Sequence, residues 1–406
     1  MKYLLYIGIT VYLFLTPNTA AVIGITQVGT ASSILIIFTF LFTLVQRKNS
    51  SLFNKSTLEI QYVLIVCGCI IFMQAMLSSP ETVRDVVFFL VVPMLLAILL
   101  HNINNNIKKN IRNILLFFFF AECGLAVYER IIEVNIFPYE QTILDSTFLR
   151  ESWEFRSSAF LGHPLNNALV VSTILGFILC SEFTRTLKLI SLSTGFIALL
   201  CFNARGAILI WCLLGVVYLY MLFVEKRIGV GRRIFLMGLS VALVFGAIYV
   251  IFNTSLGGRI INQEKIFDGS AQTRIDVFSA FGFLSTSDFW IGNSKGYNII
   301  TNKLHAGGVE NSYIMMIISY GVVLGPILIW SLYRLVKKYV TPYSTIQKFI
   351  ILTSFVLVGS LNNSLSGSAP WIVFLISANT FQLQISKQRI RRTVTPHFVQ
   401  LSVPAK

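Results

Sequence analysis

The chain has 406 residues, of which 55% are hydrophobic and only 12% are charged, and its mean hydropathy is +0.75. This composition excludes an ordinary soluble domain and is typical of a chain used up by membrane-spanning helices. The formal net charge of +15 does not indicate a nucleic-acid partner, because the basic residues are spread over short segments between apolar runs.

About twelve apolar runs approach the length of about 20 residues that a helical span needs. We therefore predict an all-α polytopic membrane protein with a single integral membrane domain, residues 1–406. The apolar N-terminus is similar to a signal peptide, but it lacks an Ala-x-Ala site, so we predict a retained first helix. The predicted spans are 3–20, 29–46, 60–77, 83–100, 112–132, 163–181, 187–203, 206–224, 234–252, 311–335, 346–362 and 368–385.

The basic residues predict the orientation of the chain. Lys and Arg concentrate in alternate connecting segments, such as Arg47-Lys48, the segment 226–233 and the segment 387–392. The positive-inside rule makes these segments cytoplasmic, so we expect both termini in the cytoplasm. The two longer loops, 133–162 and 253–310, then lie on the outer side.

The loop 253–310, between the ninth and tenth predicted spans, is the longest polar stretch. It carries Arg259 and Arg274 and ends in Glu310-Asn311-Ser312-Tyr313. Long polar connections are uncommon unless they have a function, so we interpret this one as a lid over a site. Residues 271–284 have the spacing of an amphipathic helix on the membrane surface. In the next helix, Gly321 and Gly325 are four apart, which favours close helix–helix contact.

Two further groups of polar residues are predicted to lie on the outer side. Arg156 and His163 flank a turn-forming run before the sixth span, and Arg205 lies in the short turn before the eighth. Arg205 is either a snorkelling side chain or a fixed guanidinium at the mouth of a cavity. Glu122 and Glu129 share one face of the fifth span and either line a polar cavity or pair with an arginine in packing.

The order and sidedness of these motifs resemble the bacterial O-antigen polymerase and O-antigen ligase superfamily. The resemblance rests on the run 156–168, on the Asn203-Ala-Arg-Gly-Ala turn, and on the lid that ends in Glu310-Asn-Ser-Tyr-Ile. It implies about twelve spans in the bacterial inner membrane. It also implies a substrate of oligosaccharide linked to undecaprenyl diphosphate, with a chain-length regulator and a flippase as further partners.

The resemblance also implies roles for individual residues. Arg156, Arg205 and Arg274 match positions thought to hold the diphosphate. Further candidate contacts with the substrate are Arg259 in the lid, and Asn311 and Tyr313 at the start of the next helix.

Glycosyl transfer from a lipid diphosphate needs charge stabilisation on the leaving group, for which arginine forks are suited without a metal. No Asp-x-Asp motif lies beside these arginines, so we expect neither a metal nor another cofactor. A base near the acceptor hydroxyl is also needed, and the candidates are Glu310, His163 and His305. Ligases of the superfamily typically have His-Asn where this chain has Glu310-Asn311, which favours a polymerase.

We therefore expect a metal-independent membrane glycosyltransferase that joins polysaccharide repeat units. The alternatives are a ligase that transfers the glycan to lipid A, a flippase or transporter of lipid-linked sugars, and a scaffold of a polysaccharide assembly. Twelve spans suit a transporter, but they do not account for a long lid that carries Arg and Glu.

Overall fold

The computed structural model describes residues 2–24, 28–46, 55–77, 80–137, 155–224, 279–293 and 311–382, with a few single positions between 225 and 310. All regular secondary structure in these residues is helical. The helices are α1 (Lys2–Phe14), α2 (Pro17–Ile23), α3 (Val28–Gln46), α4 (Leu58–Met76), α5 (Pro80–Asn102), α6 (Asn105–Ile132), α7 (Pro164–Cys180), α8 (Arg185–Cys201), α9 (Arg205–Val224), α10 (Thr286–Ile291), α11 (Ser312–Val340), α12 (Thr345–Ser360) and α13 (Ser368–Phe381).

Within these residues, 5 helices are long and apolar enough to cross a membrane: α4, α5, α6, α9 and α11. Helices α1, α3, α7, α12 and α13 are apolar but shorter. Every predicted span that falls in the described residues coincides with observed helix, whereas the predicted span 234–252 lies outside them except at residues 234, 238 and 249. The predicted and observed helix ends differ most where polar turns extend a helix, at Asn105 and at Val340. Hydropathy does not detect these polar helical turns.

The first predicted span, 3–20, is divided into α1 and α2. Pro17 occupies the first position of α2, where a missing N–H costs nothing. The Thr16 hydroxyl accepts the backbone N–H of Thr19 at 3.4 Å and caps the new helix. The chain therefore bends at Thr16.

Helices α7 and α13 form the centre of the bundle, and nearly all of their residues are buried. Helix α13 packs against α7, α5 and α6. Aromatic rings join these layers: Phe374 lies 5.6 Å from Phe177 and 4.4 Å from Phe355, between ring centroids. A helix that is apolar all round is expected in such a position.

The connections between helices gather at two ends of the bundle. At the first, which we call the loop end, Ser157 N–H donates to Cys201 O at 3.1 Å and Ser312 N–H to Asn362 O at 2.8 Å. At the second, the turn end, the Gln347 side chain donates to Cys180 O at 3.1 Å. The predicted outer motifs that the structure describes all belong to the loop end.

Helix α11 is kinked at Gly321, whose φ of 80° and ψ of 163° lie in a region that is essentially restricted to glycine. A Cβ atom at Gly321 would lie 2.3 Å from Trp290 O. Gly292 has a similar conformation, and its Cβ would lie 2.3 Å from Gly321 N. The two backbones therefore meet directly, and the segment 290–293 is seated in the kink.

Three hydrogen bonds also hold this segment. The buried Gln74 side chain of α4 donates to Ile291 O at 3.0 Å and to Gly292 O at 3.3 Å. Asn293 N–H donates to Ile318 O at 3.1 Å. The segment is thus hydrogen-bonded to both α4 and α11.

The close helix contact predicted for Gly321 and Gly325 is made by Gly321, which meets the backbone of Trp290 and Ile291 in α10. Gly321 contacts the segment 290–293. A Cβ at Gly325 would lie 2.9 Å from Ile317 Cα of its own helix, across the kink. Gly321 therefore combines a bend in α11 with a close contact to the end of α10, whereas Gly325 lies against its own helix across the bend.

Candidate functional site

The candidate site at the loop end begins with the segment 156–162, which two carboxylates of α6 hold in place. Both Glu129 and Glu122 are fully buried. Glu129 Oε2 accepts the backbone N–H groups of Ser158 and Ala159, each at 2.9 Å, and also the Ser157 hydroxyl. Buried carboxylates need such donors, because an unpaired charge away from water is costly. This segment is therefore built around the Glu129 side chain.

Glu122 and α2 hold the second half of the same segment. Glu122 Oε2 accepts the backbone N–H of Phe160 at 3.2 Å. Asn18 Nδ2 donates to Leu161 O at 3.4 Å, and the Thr16 hydroxyl donates to Phe160 O. Gly162 has a φ of 72°, and a Cβ there would collide with Asn18. The turn before α7 is thus fixed from both sides.

Arg156 connects this segment to the turn that carries Arg205. Arg156 Nε donates to Phe202 O at 3.3 Å, and Asn203 turns the chain with a φ of 53°. Arg205 is the first residue of α9. Both arginines are half-buried. The structure therefore brings the surroundings of two predicted diphosphate ligands together.

His163 is the N-cap of α7, because its Nδ1 accepts the backbone N–H of Leu165 at 3.3 Å. Burial lowers the pKa of His163 to about 4, and the nearby positive charge of Arg156 contributes to the shift. The imidazole is therefore neutral at pH 7, with Nδ1 used for the cap. This geometry favours a structural role over general-base catalysis.

Asn311 and Tyr313 lie at the start of α11. The Asn311 side chain accepts the N–H groups of Tyr313 and Ile314, at 3.0 and 3.1 Å, and so caps the helix. The Ser312 hydroxyl donates to Asn362 O at 2.7 Å and to Gly359 O at 3.0 Å. Helix α11 therefore starts against the end of α12.

Leu361 and Asn362 are the hub on which the predicted motifs converge. Asn362 O accepts from Ser312, and Asn362 Nδ2 donates to Leu165 O at 3.5 Å. A Cβ at Gly206 would lie 2.5 Å from Leu361 Cδ1, so the turn after Arg205 packs against the same hub. Three motifs that are far apart in sequence therefore meet at one place.

Three predicted site residues, Arg259, Arg274 and Glu310, lie outside the described residues, as does His305. The proposed amphipathic helix over 271–284 is described only from residue 279. There the chain forms a 3₁₀ helix, Ser279–Phe283.

The residues that organise the site were partly missed by sequence reasoning. The spacing of Glu122 and Glu129 places them on one helix face and predicts a polar cavity or an arginine partner, whereas the structure pairs both with backbone N–H groups. The hub at Leu361 and Asn362 was not predicted. The polar run Asn362-Asn363-Ser364 between two apolar helices was the signal that could have found it.

Among the described residues, no group of three or more His, Cys, Asp or Glu side chains is placed to hold a metal ion. No protein-family model matches the chain, and a search of curated proteins finds no match.

Proposed function

We propose that the protein is a polysaccharide repeat-unit polymerase of the O-antigen polymerase and ligase type. It would transfer a growing glycan from one undecaprenyl diphosphate to the end of a new lipid-linked repeat. The reaction would take place at the outer face of the bacterial inner membrane, with about twelve spans and the loop 253–310 as a lid. The observation that carries the proposal is that the run containing Arg156, the turn containing Arg205 and the start of α11 all contact Leu361 or Asn362, through Leu165, Gly206 and Ser312.

The chemistry suits this arrangement. A leaving diphosphate needs cations that are fixed before it arrives, and two half-buried arginines on short, constrained turns meet that need. Arg156 is restrained through its Nε atom by Phe202 O, which directs the fork geometry of the guanidinium. Arg274 would complete the set from the lid, and Glu310 would accept the proton of the attacking hydroxyl.

A gene deletion and its glycans test the proposal. If the protein is a polymerase, the deletion strain should carry single repeats on lipid A. Loss of glycan from lipid A, with long lipid-linked chains accumulating, would instead identify a ligase. Single lipid-linked repeats retained on the cytoplasmic leaflet would identify a flippase. Unchanged surface glycan would reject all three functions.

Reporter fusions test the proposed topology separately. A reporter that is active only outside the cytoplasm should be active when fused at Gly269 and silent after Arg392. The reverse pattern would invert the orientation and remove the arginines from the outer face, since the basic segments fix their side by the positive-inside rule.

A further inference from the structure

We propose that the turn end of α5, α6 and α11 binds the phosphate group of an anionic membrane lipid. The site is built from His101, Lys108 and Lys338, and it lies at the end of the bundle opposite the candidate active site. The inference goes beyond the proposed function and does not depend on it.

Ser56 contacts two of these three side chains. The Ser56 hydroxyl and His101 Nε2 are 2.7 Å apart, and the ammonium of Lys338 donates to Ser56 O. Lys108, in the second turn of α6, is close enough to His101 to interact with it electrostatically, as is Lys338. Three basic side chains from three helices therefore share one place.

Carboxylates compensate little of this charge. Glu59 lies within electrostatic reach of Lys338, but it forms an ion pair with Arg334 at 2.9 Å. Among the described residues, no ion pair involves Lys108. Lys108 is nevertheless half-buried, whereas its neighbour Lys109 is exposed. Withdrawing an ammonium group from water without a counter-ion is unfavourable, so an anion would stabilise this arrangement.

The start of α6 adds to the positive potential. Its N-cap residue, Asn104, makes no side-chain capping hydrogen bond, and no acidic residue lies in the first turn. The positive end of the helix dipole lies here and adds to the positive charge of Lys108. One turn beyond Lys108, the buried Arg112 lies 5.0 Å from the Phe183 ring, and its Nε has no hydrogen-bond partner among the described residues.

The position of the site identifies the source of the phosphate. Helices α5, α6 and α11 are all long and apolar enough to span a membrane, and the site lies where α5 and α11 end and α6 begins. Lipid phosphates occupy this level of a bilayer, and basic pockets between spanning helices bind anionic headgroups there. The chemistry fits a phosphatidylglycerol-type lipid rather than a zwitterionic one.

Two matched double variants of the full chain test the proposal. K108Q/K338Q removes the half-buried cations, and K109Q/K337Q removes the same charge from the exposed neighbours on the same helices. In nanodiscs of phosphatidylcholine with increasing phosphatidylglycerol, native mass spectrometry should show about tenfold weaker retention of phosphatidylglycerol for the first variant, because each nearby cation contributes to headgroup attraction. The control variant should change by less than twofold.

Equal losses in the two variants, or normal retention in K108Q/K338Q, would overturn the proposal. The variant K108R/K338R keeps the charge and should retain the lipid, which separates lost binding from lost folding. Inorganic phosphate is the second arm. If millimolar phosphate displaces phosphatidylglycerol from the parent protein, the site takes a soluble anion and the assignment to a lipid is wrong.

Discussion

Glu129 Oε2 accepts the backbone N–H of Ser158 at 2.9 Å, across a sequence separation of 29 residues. The same oxygen serves Ala159 and the Ser157 hydroxyl. One buried carboxylate thus fixes the segment that leads from Arg156 to His163. This explains why an acidic residue is placed on a helix that is apolar enough to span a membrane, where charges are costly unless they are paired or used.

Glu129→Ala should therefore destabilise the protein and displace Arg156. Removing the acceptor leaves buried N–H groups unpaired, at a cost of roughly 2–4 kcal/mol. We expect a lower thermal unfolding midpoint in detergent and a loss of the proposed polymerase activity. Glu133→Gln is the control, because Glu133 ends the same helix and is exposed. Equal midpoints for the two variants would contradict the role assigned to Glu129.

The positions of the helices could be predicted from sequence because long apolar runs leave few alternatives in a membrane. The bend at Gly321 could not be predicted, because its cause is the backbone of the segment 290–293, which hydropathy does not register. The hydrogen bonds of Glu129 could not be predicted either, since the pairing of a carboxylate with a distant loop depends on tertiary contacts. Likewise, the polar run around His163 and the resemblance at Asn311 indicate functional residues, but neither reveals that both side chains cap helices.

Gly321→Ala should release the segment 290–293 from α11. An alanine at this φ and ψ costs about 1–3 kcal/mol, and its Cβ would collide with Trp290 O. We expect faster hydrogen exchange in 290–293 and a lower thermal midpoint. Gly68→Ala is the matched control, because a Cβ at Gly68 meets nothing within 4 Å and alanine favours helix. Unchanged hydrogen exchange in Gly321→Ala would show that the segment 290–293 does not depend on packing in the kink of α11.

His163 should make the stability of the protein depend on pH. Its pKa is about 4 in the folded protein and about 6.5 when unfolded, so the unfolded chain binds a proton that the folded chain excludes. Stability should therefore be unaffected above pH 7 and should fall as the pH drops from 6.5 towards 4. Since the side chain is half-buried, we expect a loss of about 1–2 kcal/mol.

The variant His163→Asn tests this dependence. Asparagine retains an N-cap acceptor for Leu165 but does not titrate. Its thermal midpoint should therefore fall less between pH 7 and pH 5 than that of the parent protein. If the thermal midpoints of the parent protein and the variant depend on pH in the same way, a group other than His163 causes the dependence.

The arginines are predicted to act as forks rather than as bare charges. Arg156→Lys loses the Nε donor to Phe202 O as well as the planar guanidinium, so the retained positive charge should not rescue it. We expect a loss of at least tenfold in the proposed glycan polymerisation for Lys at Arg156, Arg205 or Arg274. Arg185→Lys, at the turn end, is the control. Full activity in all three variants would leave only a topological role for these residues.

The last prediction concerns the catalytic base. Glu310 immediately precedes Asn311, the N-cap of α11. The start of that helix is held in place because Ser312 donates to Asn362 O, in the hub at Leu361 and Asn362. The positive end of the helix dipole would favour an ionised carboxylate there. His163, in contrast, uses Nδ1 for a helix cap and has a pKa of about 4, which makes it a weak base at neutral pH.

Glu310→Gln keeps the size of the side chain but cannot take a proton. In a purified system with lipid-linked repeats, it should lower turnover by roughly a hundredfold or more, the usual range for a lost general base, while binding of the lipid diphosphate and the thermal midpoint stay unchanged. His163→Asn should retain most of its turnover at pH 7.5, because the cap is preserved. Near-normal turnover in Glu310→Gln with collapse in His163→Asn would transfer the base to the start of α7, and the cap of that helix would then be a resting position of a catalytic imidazole.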